Sequence, residues 1–186
     1  MFIGVLFVLL FIQKAAQIIL WVTTITFAIL AQYINPIQQG TGDLLNSQLA
    51  REIQQIERTS SGAWASNDRV LDAVLIANTS QLISGQQLNG PNLESWKLFD
   101  PTSSQKEVWN RASSFVYMNW ISEEKVVIEN PANDVIQISI NPCNSTLDNL
   151  NLKWILSKSE LNFECLSPFK IIETDDGNKF FIYGRK

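Results

Sequence analysis

The sequence predicts an α+β (mixed α/β) soluble domain preceded by an N-terminal transmembrane helix. Three observations carry that expectation. Residues 1–34 are almost wholly apolar and hold a single charged side chain, Lys14. All 18 acidic residues and every other basic one follow. In that second part, apolar residues recur first at helical spacing and then in short strand-like runs separated by turn residues.

The apolar leader admits two arrangements. Residues 1–12 (MFIGVLFVLLFI) carry no polar side chain, Gln13, Lys14 and Gln17 interrupt, and a second apolar stretch runs from Ile18 to Ile34. As one helix it would be roughly 50 Å long and would tilt in a ~30 Å hydrocarbon layer. As a hairpin turning at Gln13–Lys14, its second arm fits the ~20 residues of a span and its first does not. The hairpin would make Met1 an internal residue of a larger polytopic protein, with Lys14 on the cytoplasmic side by the positive-inside tendency. Either way the expected division is a transmembrane segment at 1–34, a linker at 35–46 and an extracytoplasmic α/β domain at 47–186. The lipid bilayer is thus an expected partner, and the cell membrane the expected location.

Element by element, Asn35-Pro36 ends the first helix, because a residue before proline avoids the α region. Ser47 is placed to cap a helix carrying Leu49, Ile53 and Ile56 on one face. Thr59–Gly62 breaks it, and Ala63–Ala65 follows as a short buried strand. Asn67 or Asp68 caps a helix through Val74, or the stretch runs directly into a strand at Ala73–Ala77. Residues 81–103 read as loop, punctuated by Gly85, Gly90-Pro91 and Asp100-Pro101. Residues 104–120 read as a helix, with Val108, Ala112, Phe115 and Met118 on one side. Lys125–Glu129 and Asp134–Ile140 read as a hairpin about Asn130–Asn133. A short helix capped by Asn144 or Ser145, then a strand at Leu152–Ser157, come next. Phe169–Glu173 and Lys179–Tyr183 form a second hairpin about an Asp-Gly turn.

Composition narrows the chemistry. There is no histidine, so the commonest general base and zinc ligand is missing. A formal net charge of −4 without clustered Lys or Arg argues against nucleic acid. Ser84-Gly85 lies in LISGQQ, not in a nucleophile elbow. No catalytic residue, metal ligand or cofactor is nominated. Asp175-Asp176 reads as a solvated turn. Asn78-Thr79-Ser80 and Asn144-Ser145-Thr146 match the glycosylation pattern. Cys143 and Cys165, an even pair in an exported domain, read as a disulfide rather than as two buried thiols.

The most distinctive stretch is 85–111, which sets Trp96 and Trp109 among Asp100, Asn110, Arg111 and several amides. Aromatic faces beside amides and a carboxylate are what sugar recognition uses. The competing reading puts the tryptophans in the core and uses the polar groups to tie down a long loop. Trp96, Asp100, Trp109, Asn110 and Arg111 are the candidate ligand-binding residues.

The order NPIQQG (35–40), LAREI (49–53), LISGQQLNGPNLESWKLFDP (82–101), VWNR (108–111), NPC (141–143), LNLKWILS (150–157) and FIYGR (181–185) resembles the C-terminal region of large polytopic bacterial membrane proteins. These are similar to C-type, lipid-phosphate-sugar-dependent glycosyltransferases. The resemblance implies an extracytoplasmic domain following the last membrane helix, with the catalytic acid elsewhere in the whole protein. It implies an accessory, non-catalytic role on cell-envelope glycans, with a glycan acceptor or the membrane core as partner. The alternative is a structural or protein-interaction module with no sugar site.

Overall fold

The computed structural model describes residues 2–34, 42–79, 81–87, 90–112, 114–174 and 177–186, and of these it leaves undescribed the side chains of 2–13, 31–34 and Asp43. The chain divides into two compact units, Met1–Gly42 and Asp43–Lys186.

The described residues 2–34 of the first unit form one continuous helix, α1 (Phe2–Ile34), so the backbone does not turn at Gln13–Lys14. The expected transmembrane helix is corrected: among the described residues no helix is long and apolar enough to cross a membrane. Over 14–30, Lys14, Gln17, Thr23, Thr24 and Thr26 interrupt the apolar residues. Thr23 and Thr24 return their hydroxyls to the carbonyls of Ile19 and Leu20, both at 2.8 Å. The proline-terminated end at Asn35-Pro36 lies outside the described residues.

The second unit is an α+β domain whose described residues form two four-stranded sheets. Helix α2 (Gly42–Asn46) lies inside the expected linker, and α3 (Gln48–Thr59) follows it. Ser47 caps α3 as its position suggests, accepting from Ala50 N at 3.1 Å. Strand β1 (Ala63–Ser66) leads to α4 (Arg69–Asn78), whose Asp68 cap accepts from Val70 and Leu71 N–H groups. The helix therefore wins over a strand at Ala73–Ala77. Next come β2 (Gly85–Gln87), α5 (Leu93–Phe99) and α6 (Lys106–Trp109). The expected helix over 104–120 stops there, and 114–120 form β3 (Ser114–Trp120). In β3 the core-facing residues alternate, Val116 and Met118 inward against Phe115, Tyr117 and Asn119 outward. The helical spacing of Val108, Ala112, Phe115 and Met118 loses to this two-residue period.

Strands β4 (Val127–Ala132) and β5 (Val135–Ile140) form the expected antiparallel hairpin. After α7 (Thr146–Asn149), β6 (Leu152–Ser157) pairs with β8 (Lys179–Arg185), itself paired with β7 (Leu166–Glu173). The first sheet runs β1-β6-β8-β7 and the second β2-β3-β5-β4; β1–β6 and β3–β5 are the parallel pairs. The acidic pair Asp175-Asp176 of the last hairpin lies outside the described residues.

Two cores follow from sheet pleating. Leu49, Ile53 and Ile56 of α3 and Leu71 and Leu75 of α4 pack on Trp64, Trp154, Leu156 and Ile182, one face of the first sheet. Its other face gives Ile155 and Tyr183 to a second cluster with Val116, Met118, Ile136 and Ile138. Fully burying a Leu or Ile contributes about 1.5–3 kcal/mol, so these clusters carry most of the fold. Cys143 and Cys165 are bonded as expected, with Cα atoms 5.4 Å apart.

Candidate functional site

A cavity of about 410 Å³ opens where the 81–87 segment faces α5. Gln81, Ser84, Gln86, Gln87, Asn92 and Ser95 supply polar groups; Trp96, Phe99, Val116, Ile138 and Leu150 are among the apolar ones. Among the described residues, none that lines it is ionisable. The wall is shaped locally. Gly85 sits at φ +104°, and a Cβ there would meet Leu82 Cδ2 at 3.1 Å, so only glycine lets the chain turn into β2. Leu82 bridges to Trp64, and the Ile83 N–H donates to Trp64 O at 2.9 Å, holding the segment against β1. On the other side Asn92 caps α5, accepting from Glu94 and Ser95 N–H groups. Trp96 Nε1 donates to Gln87 Oε1 at 3.0 Å and closes one end.

Behind the wall lies a carboxylate. Asp72 of α4 accepts from Ser66 Oγ at 2.7 Å and Ser84 Oγ at 2.5 Å. Burial pushes its pKa up to about 6, against the lowering pull of the two serines, with Asp68 adding to the rise.

Of the residues nominated from sequence, only Trp96 borders this cavity. Trp96 and Trp109 are 4% and 1% exposed and stack with ring centroids 5.5 Å apart and planes 3° off parallel. Both faces of such a pair cannot serve a ligand, because each covers the other. Asp100, 5% exposed, is saturated: Oδ1 takes Thr102 Oγ1, Ser104 N and Ser104 Oγ, while Oδ2 takes Gln105 N at 2.8 Å and Trp109 Nε1 at 2.9 Å. Burial pulls its pKa upward, but these donors prevail and hold it below the ordinary carboxylate value. Arg111 donates to Glu107 O, Asn130 Oδ1 and Asn133 O, tying α6 to the β4–β5 turn. Asn110 is exposed at the end of α6. The five residues thus form a tryptophan–aspartate brace and a surface tie, not one pocket.

The residues that sequence reasoning passed over are Ser84, Gln86, Gln87 and, behind them, Asp72. The signal lies in LISGQQ, where a glycine and two amides follow an apolar pair; the amides fall within the distinctive 85–111 stretch, but the five nominated residues lie further along it. The Asn78 amide is spent on Leu44 O, Val74 O and Gln54, and Asn144 on Glu124 O and Thr146 N. Neither glycosylation triplet therefore presents a free acceptor amide. Among the described residues no three His, Cys, Asp or Glu side chains gather as a metal-holding group.

A family model described as a domain of unknown function (DUF7654) matches residues 43–186. No curated protein and no solved structure matches the chain.

Proposed function

We propose that this chain, which belongs to the family of that domain of unknown function, is a non-catalytic, extracytoplasmic glycan-binding module serving glycosyltransferase-like machinery of the cell envelope. The observation that carries the reading is the cavity between the 81–87 segment and α5: amides and hydroxyls around an apolar floor, with no ionisable side chain among the described lining residues. A neutral, polyhydroxylated ligand matches that set. Its hydroxyls pair with Gln, Asn and Ser side chains and its apolar ring face lies on carbon, while a charged ligand finds no counter-ion. The motif order resembling C-type glycosyltransferases supports the cell-envelope setting. The Cys143–Cys165 disulfide supports an oxidising compartment.

The test is tryptophan fluorescence of the full chain titrated with neutral gluco-, manno- and N-acetylglucosamine oligosaccharides. Ser95, half-buried on the cavity wall, is replaced by phenylalanine to fill the space. Saturable binding by wild type and none by Ser95→Phe is expected. Equal binding by both, or none by wild type, would remove the cavity reading. A structural or protein-interaction module is the second reading, favoured by the burial of Trp96, Asp100 and Trp109; it predicts no response to any sugar.

A further inference from the structure

Asp72 joins three elements from inside the protein. It is 1% exposed on α4, and its Oδ1 receives hydroxyls from β1 (Ser66) and from the cavity wall (Ser84). Ser84 Oγ in turn accepts the Ser66 N–H at 3.0 Å. Yet Oδ2 is buried with no hydrogen-bond partner among the described residues. As a mere tie this is a poor choice. An asparagine carbonyl could accept the same two hydroxyls without a buried charge, whose desolvation is costly. Ser84 and Gly85 line the cavity, so whatever alters the bond to Ser84 acts on its wall.

We infer that Asp72 is a positioning residue whose negative charge clasps the Ser84–Gln87 wall, and that losing the charge loosens the wall and weakens occupancy of the cavity. The identity of the occupant rests on the glycan reading; the clasp does not. A hydroxyl donating to a carboxylate makes roughly twice as strong a bond as to a neutral acceptor. Once protonated, Asp72 also places an O–H at Oδ2, where no acceptor waits. Burial raises its pKa to about 6 while the Ser84 bond lowers it. Releasing Ser84 with the carboxyl still buried under α4 and β1 raises it further, so protonation in mildly acidic conditions favours the released wall. Global unfolding, which hydrates the carboxyl, has the opposite sign.

The surroundings leave Asp72 as the responsive group. β1 (AWAS) and the 82–87 wall (LISGQQ) carry no titratable side chain. Asp68 lies close enough to raise the Asp72 pKa, and is itself paired with Lys158 at 2.7 Å. From α3, Glu52 pairs with Lys170 and Glu57 accepts Trp64 Nε1, while Arg51 and Arg58 are exposed. Arg69 lies over the Phe115 and Tyr117 rings of β3.

The test is amide hydrogen exchange of residues 82–87 in the full chain at pH 5 and 7.5, corrected for intrinsic rates. Wild type is expected to lose protection about tenfold at pH 5, the size of exchanging a charged for a neutral hydrogen bond. Asp72→Asn should be equally open at both pH values; should it fail to fold, Ser84→Ala, which removes the clasp and keeps the carboxylate, should lose the pH response instead. Unchanged protection of 82–87 in wild type, or a pH response kept by the folded variant, overturns the inference. The oligosaccharide titrations repeated at both pH values separate the two claims. Exchange that responds while no sugar binds at either pH sinks the glycan reading and leaves the clasp; sugar binding with unresponsive exchange does the reverse.

Discussion

Replacing Asp100 by alanine should unfold the 85–111 region well before the rest loses its preference for the native state. The carboxylate accepts five donors, and two of them, Trp109 Nε1 and the Gln105 N–H, meet at the same oxygen. Trp109 is 1% exposed, so alanine leaves its indole N–H buried without an acceptor. At about 1–3 kcal/mol for each buried donor stranded, the indole and the Gln105 amide together cost about 4 kcal/mol. Asparagine should cost less. With its oxygen turned toward Trp109 and Gln105, its NH₂ faces the Thr102 and Ser104 hydroxyls, which can rotate to accept. Only the Ser104 N–H then clashes, for about 1–2 kcal/mol. Urea unfolding of the full chain, read by tryptophan fluorescence at pH 7.5, measures both variants. Asp100→Ala within 1 kcal/mol of wild type, or asparagine costing as much as alanine, would refute the picture of a carboxylate bracing the stacked tryptophans.

The disulfide closes a segment with a sequence separation of 22, so removing both cysteines as Cys143→Ser and Cys165→Ser should cost about 3 kcal/mol through the unfolded chain's regained freedom; a shift in urea midpoint worth under 1 kcal/mol would count against it. Stability should also depend on pH with opposite signs at two aspartates. The folded-state pKa of Asp72 is raised to about 6, so the stability its proton brings is fully present below about pH 4 and is lost as pH rises through 6, by about 3 kcal/mol. The Asp100 pKa is lowered, so its contribution is present above the usual carboxylate range and lost as pH falls through its folded value. Urea midpoints from pH 4 to 7.5 should therefore fall more steeply with rising pH in wild type than in Asp72→Asn, and parallel curves would contradict the assignment.

Local sequence rules placed much of this fold. Ser47 caps α3 as its position predicts, and of the alternatives open at 67–77 the structure selects the helix capped by Asp68, because each side-chain oxygen precedes free N–H groups that a cap satisfies. The β4–β5 and β7–β8 hairpins followed from turn residues between apolar runs, since both partners of each pair lie close in sequence. Where partners are distant, the same rules failed. β3 pairs in parallel with β5 and antiparallel with β2, and no feature of 104–120 announces those neighbours, so its accidental helical spacing predicts a helix that the chain does not form. Composition makes the apolar leader a span; the structure gives one continuous helix, and among the described residues no helix long and apolar enough to cross a membrane. The site divided in the same way. Its amide-rich segment, 84–87, is visible in the sequence, but a cavity exists only because Gly85 turns that segment toward α5, while the nominated Trp96, Asp100 and Trp109 bond to one another instead of to a ligand. Asp72 looked like an ordinary residue of a helix and acquired its buried charge only when β1 and the wall closed over it. Burial and long-range pairing are properties of the assembled chain, because they depend on which surfaces meet, whereas caps and turns are settled within a few residues of backbone.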